Sequence, residues 1–207
     1  GYLSVYQNAI PMLNNAGMKS TQYIIAETLG GGFSGYVNAA QVLAMQAQGH
    51  EIGAHSSSHA DLTLSTPTDL ANEVGGSKTA LENAGVNFIS SFAYPYGNYN
   101  NAVIQALVNA GYEAGRGAYP DGENYKDTNK YELRVVDVQL LTPVATVKTW
   151  IDQAIANKSW VILMYHQIDN GGDQYSTLPQ NFQEVVNYAQ SVGIMVVTNR
   201  QGVALMN

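Results

Sequence analysis

The feature that most restricts this chain is the alternation of short apolar runs with longer segments patterned for helices. Runs at 23–25, 52–54, 88–94, 113–118, 133–138, 160–165 and 194–198 have strand length and strand-like content. Helices are predicted at 38–48, 66–83, 101–110, 144–157 and 180–192, with Pro67 at a first helical position. A further helix opens the chain, because Leu3, Tyr6, Ile10 and Leu13 form one apolar stripe that Pro11 should kink. Short connections between alternating elements point to a parallel α/β barrel or wound sheet. A loop rich in Asp, Gly, Asn and Lys is expected at 119–131. A parallel strand-helix domain that opens on a helix leaves the backbone groups of neighbouring strands without a partner, so a strand is expected immediately before Gly1.

The chain has 207 residues, which suits one domain, 1–207, and 45% are apolar, enough for a sizeable core. No run approaches the roughly 20 residues that span a bilayer, and the start is not signal-like, so a soluble, mature or trimmed domain is expected. A net charge of −7 argues against nucleic acid or an anionic membrane as partner. Fourteen tyrosines among abundant Asn, Gln, Gly and Ser are similar to the content of secreted sugar-handling proteins, so an extracellular setting is expected. The absence of cysteine removes disulfides, thiolate zinc clusters and a Cys nucleophile.

Three motifs carry candidate chemistry. His55-Ser56-Ser57-Ser58-His59 leaves the 52–54 strand at its carboxyl end, where a helical turn would bring His59 over His55 and let both imidazoles reach one ion. Spacing alone leaves a metal pair and two surface histidines equally open. Phe92-Ala93-Tyr94-Pro95-Tyr96-Gly97 runs off another strand; Pro95 holds Tyr94 extended, and Gly97 permits a sharp turn that frees the Tyr96 N–H for an oxyanion. Taken singly, that segment is equally an aromatic turn packing a loop. Leu163-Met164-Tyr165-His166 ends the most apolar strand, where a histidine is often a polar cap. The weight lies in all three meeting at carboxyl ends of strands. His50, at the other end of its strand, is read as structural. The Gly30-Gly31-Gly32-Phe33-Ser34-Gly35 run matches a dinucleotide fingerprint but stands off both strand and helix, so a flexible loop is expected. Serine hydrolase chemistry lacks its nucleophile elbow, and paired glycosidase carboxylates among Glu27, Asp137 and Asp169 would leave the histidines unexplained.

Over its whole length, from Gly1-Tyr2-Leu3 through these motifs to Leu163-Met164-Tyr165-His166-Gln167-Ile168 and the last strand, the chain resembles the polysaccharide deacetylases, carbohydrate esterases of family four with the NodB-type fold. The resemblance implies an irregular (β/α)7-like barrel, its first strand missing from these 207 residues, and one divalent ion, usually zinc with cobalt and nickel also suited. It implies His55 and His59 as metal ligands, the Tyr96 N–H as oxyanion donor and His166 as proton donor to the leaving sugar atom. Leu163 would line the acetyl-methyl pocket, with Tyr94 and Pro95 also at the substrate.

Two departures bear on the chemistry. The family's Thr-Phe-Asp-Asp-Gly motif supplies the base and an aspartate ligand, and this chain begins at what corresponds to its Gly. Where relatives carry an Arg that orients the base, this chain has Ala93; Arg134 is expected to supply that charge or else a rim salt bridge. Asp137 is the nearest candidate for the Asp that pairs with the acid histidine. The expected activity is removal of acetyl groups from an acetylated polysaccharide or oligosaccharide, acetyl-xylan ahead of N-acetylglucosamine polymers. The alternative is a non-catalytic carbohydrate-binding relative without the aspartates.

Overall fold

A computed structural model of the chain describes residues 1–118 and 121–206. Four parallel strands form the main sheet in sequence order: β1 (Thr21–Ile24), β2 (Glu51–Ala54), β3 (Ser91–Ala93) and β4 (Ala114–Arg116). Six two-residue strands follow, namely β5 (Glu123–Asn124), β6 (Val136–Asp137), β7 (Trp160–Val161), β8 (Leu163–Met164), β9 (Gln167–Ile168) and β10 (Ser176–Thr177). A parallel bridge from Arg116 to Leu133 and the parallel β6–β8 pair carry the wall onward. β5 pairs antiparallel with β7, and β9 pairs parallel with β10.

This is the α/β wall that the alternation demands, with a gap in its hydrogen-bonded ladder among the described residues. Among the described residues no hydrogen-bonded pairing joins β8 to β1. A cavity of about 720 Å³, lined by apolar side chains such as Leu13, Ile162, Phe182 and Val186, occupies that opening. Residues 194–198, expected as a strand, join no ladder among the described residues, and Met195 and Val196 are exposed beside the same cavity. Tyr119, the start of the expected polar loop, lies with Pro120 and Asn207 outside the described residues.

The helices are α1 (Ile10–Asn15), α2 (Ala39–Ala47), α3 (Pro67–Ala71), α4 (Ser77–Asn83), α5 (Asn101–Asn109), α6 (Val144–Asn157), α7 (Pro179–Ser191) and α8 (Asn199–Leu205). Their starts follow from local chemistry. Asn38 and Gln41 form a capping box on α2, as Thr198 and Gln201 do on α8, while Thr66 caps α3 ahead of Pro67. Pro11 has no N–H and its ring crowds the preceding turn, and the helix is widened there to a π-turn, Val5–Ala9. The segment 66–83 is likewise divided, by a π-turn at Asn72–Gly76.

Two larger apolar bodies hold the wall, with two smaller clusters around Leu133 and Val135 beside them. One contains Ile24, Val42, Ile52, Leu81, Phe92 and Leu107 between the main sheet and its helices. The other packs Leu13, Val138, Val147, Ile151, Ile168 and Phe182 under α6 and α7. At the amino ends of the strands a buried carboxylate has structural partners. The buried Glu51 carboxylate accepts from Thr21 Oγ1 (2.9 Å), Ser91 Oγ (2.6 Å) and the Arg200 N–H (2.8 Å), pinning α8 to the sheet. His50 is buried at this end too, as a structural residue.

Candidate active site

A second group of polar side chains collects at the opposite rim, where the parallel strands end. His55 follows β2, Tyr96 follows β3, Arg116 ends β4, Asp137 ends β6 and His166 lies just past β8. All five line one cleft of about 540 Å³. The larger cavity at the wall's opening holds no histidine.

His55 Nδ1 lies 2.8 Å from the carbonyl oxygen of Ala93, which can only accept, so Nδ1 carries the proton and Nε2 keeps a free lone pair. The two rings of the pair meet edge to face, with centroids 4.7 Å apart and planes at 85°. The route to that meeting is not the helical turn expected from the spacing. Ser56 and His59 both have positive φ, 61° and 67°, and the His59 N–H donates to Ser56 Oγ at 2.8 Å. The loop is held from outside by Glu73, whose carboxylate accepts from the Ser57 and Ser58 N–H groups and the Ser58 hydroxyl. Burial pushes both imidazole pKa values down, His55 well below its ordinary value, and the nearby Arg116 guanidinium adds to this. Both rings are thereby kept neutral, the form that can donate a lone pair to a cation.

The turn after β3 has the expected form. Gly97 takes φ 75° where its missing Cβ would lie inside van der Waals contact of the Ala118 backbone, and Tyr96 has φ 58°. The Tyr96 N–H makes no hydrogen bond among the described residues, and the Tyr96 ring packs against His59 at 4.7 Å. Tyr94 is among the residues that line the cleft, and its ring is also part of the core. It is fully buried, stacks on Tyr99 at 4.9 Å and donates its hydroxyl to the Tyr131 carbonyl, so it belongs to the core. Pro95 is buried as well and shapes the turn.

Across the cleft, His166 Nδ1 and Asp137 Oδ1 are 3.7 Å apart, too far for a hydrogen bond, and neither buried atom has another partner among the described residues. Burial lowers the His166 pKa, and the Asp137 carboxylate opposes that shift. Leu163 lines the same cleft. Arg134 does not: it is exposed, its Cδ beside Gly122, with its backbone tied to Asn124. The cleft's guanidinium is that of Arg116, which lies 4.9 Å over the Tyr23 ring and donates to the Gly117 carbonyl and the Met164 sulfur. Its signal in the sequence was a cation inside the 113–118 run. Glu73 gave no signal, since it belongs to a different helix.

Two neutral imidazoles with an oriented free nitrogen suit a divalent cation. They are an incomplete set, because among the described residues no third His, Cys, Asp or Glu joins them in a metal-binding cluster.

The profile of the polysaccharide deacetylase family matches residues 1–115. The chain belongs to this family. It is 30% identical over 138 residues to YxkH of Bacillus subtilis (strain 168), whose name assigns it to the polysaccharide deacetylases; the match covers 67% of this chain and 48% of the relative. The chain thus spans about half the length of that curated relative. Among solved structures it is similar to the Xyl-CE4 domain of a multidomain xylanase from the hindgut metagenome of Trinervitermes trinervoides (TM-score 0.69, 17% identity, 99% of this chain and 86% of that one). It is also similar to a family 4 carbohydrate esterase of Streptomyces lividans (0.66, 16%, 98% and 91%) and to peptidoglycan deacetylase PdaC of Bacillus subtilis (0.62, 17%, 98% and 84%). At these identities the structural likeness establishes the shared fold.

Proposed function

We propose that this chain is a divalent-metal-dependent deacetylase that hydrolyses acetyl groups on an extracellular polysaccharide, with acetyl-xylan as first substrate and zinc as first ion. One observation carries the reading: the neutral His55–His59 pair and the His166–Asp137 pair share a single cleft at the strands' carboxyl ends. His55 and His59 would hold the ion, completed by a ligand outside this pair. The chemistry such an ion supplies is polarisation of a carbonyl and a lowered pKa for water.

The chain's own groups do the rest. The unpaired Tyr96 N–H is the donor for the negative charge that develops on the acetyl oxygen. His166 carries the proton to the departing sugar oxygen or nitrogen, and Asp137 favours its protonated form. Leu163 offers an apolar wall for the acetyl methyl group.

A non-catalytic carbohydrate-binding role is the second reading, and the absence of a third ligand among the described residues favours it. Acetate release from acetyl-xylan and from N-acetylated chitin oligomers, with bound metal measured on the same samples, separates the two. The deacetylase reading expects release that chelation abolishes and zinc restores, and a loss of metal and of at least 100-fold in rate for His55→Ala. Full metal content in His55→Ala sinks the proposed ligand pair. Sugar binding without acetate release, metal added or not, establishes the second reading.

A further inference from the structure

Ala54 pairs with Phe92 where β2 and β3 run side by side, but the groups that matter to the proposed hydrolysis lie past the ends of both strands. His59 stands on the loop that follows β2, and the Tyr96 N–H on the turn that follows β3. Backbone pairing therefore does not fix how far apart these two segments sit. Side chains have to do so.

Two contacts span the gap inside the cleft: His55 Nδ1 to the Ala93 carbonyl, and the His59 ring against the Tyr96 ring. A third lies outside it. Asn98 Nδ2 donates to Asp61 Oδ2 at 2.9 Å, and neither residue is among those that line the cleft. Each end of this bond is rooted in its own segment. The other Asp61 oxygen, Oδ1, accepts the Thr63 N–H at 3.0 Å and the Thr63 hydroxyl at 2.7 Å, which starts a short turn whose Leu62 is buried in the core. The Asn98 N–H donates to the Pro95 carbonyl at 3.1 Å and closes the turn that presents Tyr96. Asp61 stands two residues past His59, and Asn98 two past Tyr96, so the bond joins the segments close to both functional groups.

An ionised acceptor makes such a bond stronger than one between neutral groups. A ligand on one loop and a donor on another serve the same reacting oxygen only at a fixed separation, and a misplacement of about 1 Å costs on the order of 100-fold in rate. We infer that the Asp61–Asn98 hydrogen bond is a clasp that sets the distance between the histidine loop and the oxyanion turn, which makes Asp61 and Asn98 positioning residues. This rests on the deacetylase reading and adds to it two residues that stand outside the cleft.

The test uses four variants of the full chain, assayed on acetyl-xylan with zinc added. Asn98→Ala removes the donor, and Asn98→Asp sets two carboxylates against each other. Asp61→Asn keeps the Thr63 contacts and still bonds an Asn98 amide that has turned over. Asp61→Asn combined with Asn98→Asp rebuilds the bond with donor and acceptor exchanged. In Asn98→Ala kcat should fall at least fivefold, and in Asn98→Asp at least tenfold, with KM and bound zinc within threefold of the parent. Asp61→Asn alone and the double variant should both keep kcat within threefold of parental.

Backbone amide exchange at 59–63 and 96–98, read on the same proteins, needs no turnover. It should quicken at least fivefold in both segments in the two Asn98 variants and slow again in the double variant. Parental kcat in Asn98→Ala, a double variant that fails to recover, or exchange that quickens in one segment only overturns the clasp. If the parent releases no acetate, exchange coupled in this way sinks the hydrolysis alone, and uncoupled exchange sinks the clasp with it.

Discussion

Glu73 holds Ser58 with both carboxylate oxygens: Oε1 accepts the Ser58 hydroxyl at 2.6 Å, and Oε2 accepts its backbone N–H at 3.0 Å. Oε2 also takes the Ser57 N–H at 3.0 Å, so one carboxylate from a π-turn sets the loop that carries His59. Burial pushes the Glu73 pKa up, but hydrogen bonds from Ser58, Ser56 and Ser57 outweigh it and the net shift is downward. The resulting stabilisation is present above the unfolded carboxylate pKa and is lost as pH falls through the folded one. Glu73→Ala should cost about 1–3 kcal/mol in denaturant unfolding, from the unpaired N–H groups it leaves. Acetate release should fall at least tenfold. Parental turnover in this variant would show that His59 keeps its place without the carboxylate.

The His166–Asp137 pair gives a prediction about pH. A general acid works only while protonated, so the rate should decline as pH rises through the His166 pKa. Asp137 favours the protonated ring against the larger opposing effect of burial. Asp137→Asn should therefore move the upper limb of the rate profile to lower pH, in addition to lowering the maximum. The measurement is kcat against pH on one acetylated substrate; an unmoved limb separates Asp137 from the proton donor.

His50 should govern acid stability. Burial, with help from the Lys19 charge, lowers its pKa from 6.5 to about 4. Its Nδ1 accepts the Ser20 N–H at 3.2 Å, and Nε2 faces Asn14 Oδ1 at the same distance, a pattern made for the neutral ring. The unfolded chain takes up the proton first, so stability should fall from about pH 6.5 down to about pH 4 and level off below. The loss is on the order of 1–3 kcal/mol. Urea unfolding across this range should show that slope, and His50→Asn should flatten it; an equal slope in the variant assigns the effect to other groups.

Gly97→Ala should disturb the oxyanion turn. At φ 75° a Cβ is strained, and this one would meet the Ala118 backbone. A cost of about 1–3 kcal/mol is expected, or a melting point lower by roughly 2–8 °C. Because the turn presents the Tyr96 N–H, kcat should fall more than KM rises. A variant with the parental melting point and kcat would mean that the turn relaxes at no cost.

The sequence alone determined the α/β wall, the family and the rim at which the histidines gather. These depend on signals within a few residues of one another: strand-length apolar runs, helix caps, and motifs that leave each strand at its carboxyl end. Tertiary structure decided what depends on register and on contacts between distant segments. Arg116 pairs with Leu133 across a parallel bridge, so Arg134, one residue further on, faces the other side of the wall and lies outside the cleft. Side chains alternate along a strand, and a pattern within one strand does not say which of its neighbours it will face. For the same reason the Tyr94 ring turned into the core, residues 194–198 joined no ladder among the described residues, and Glu73 reached the histidine loop across fifteen residues of chain.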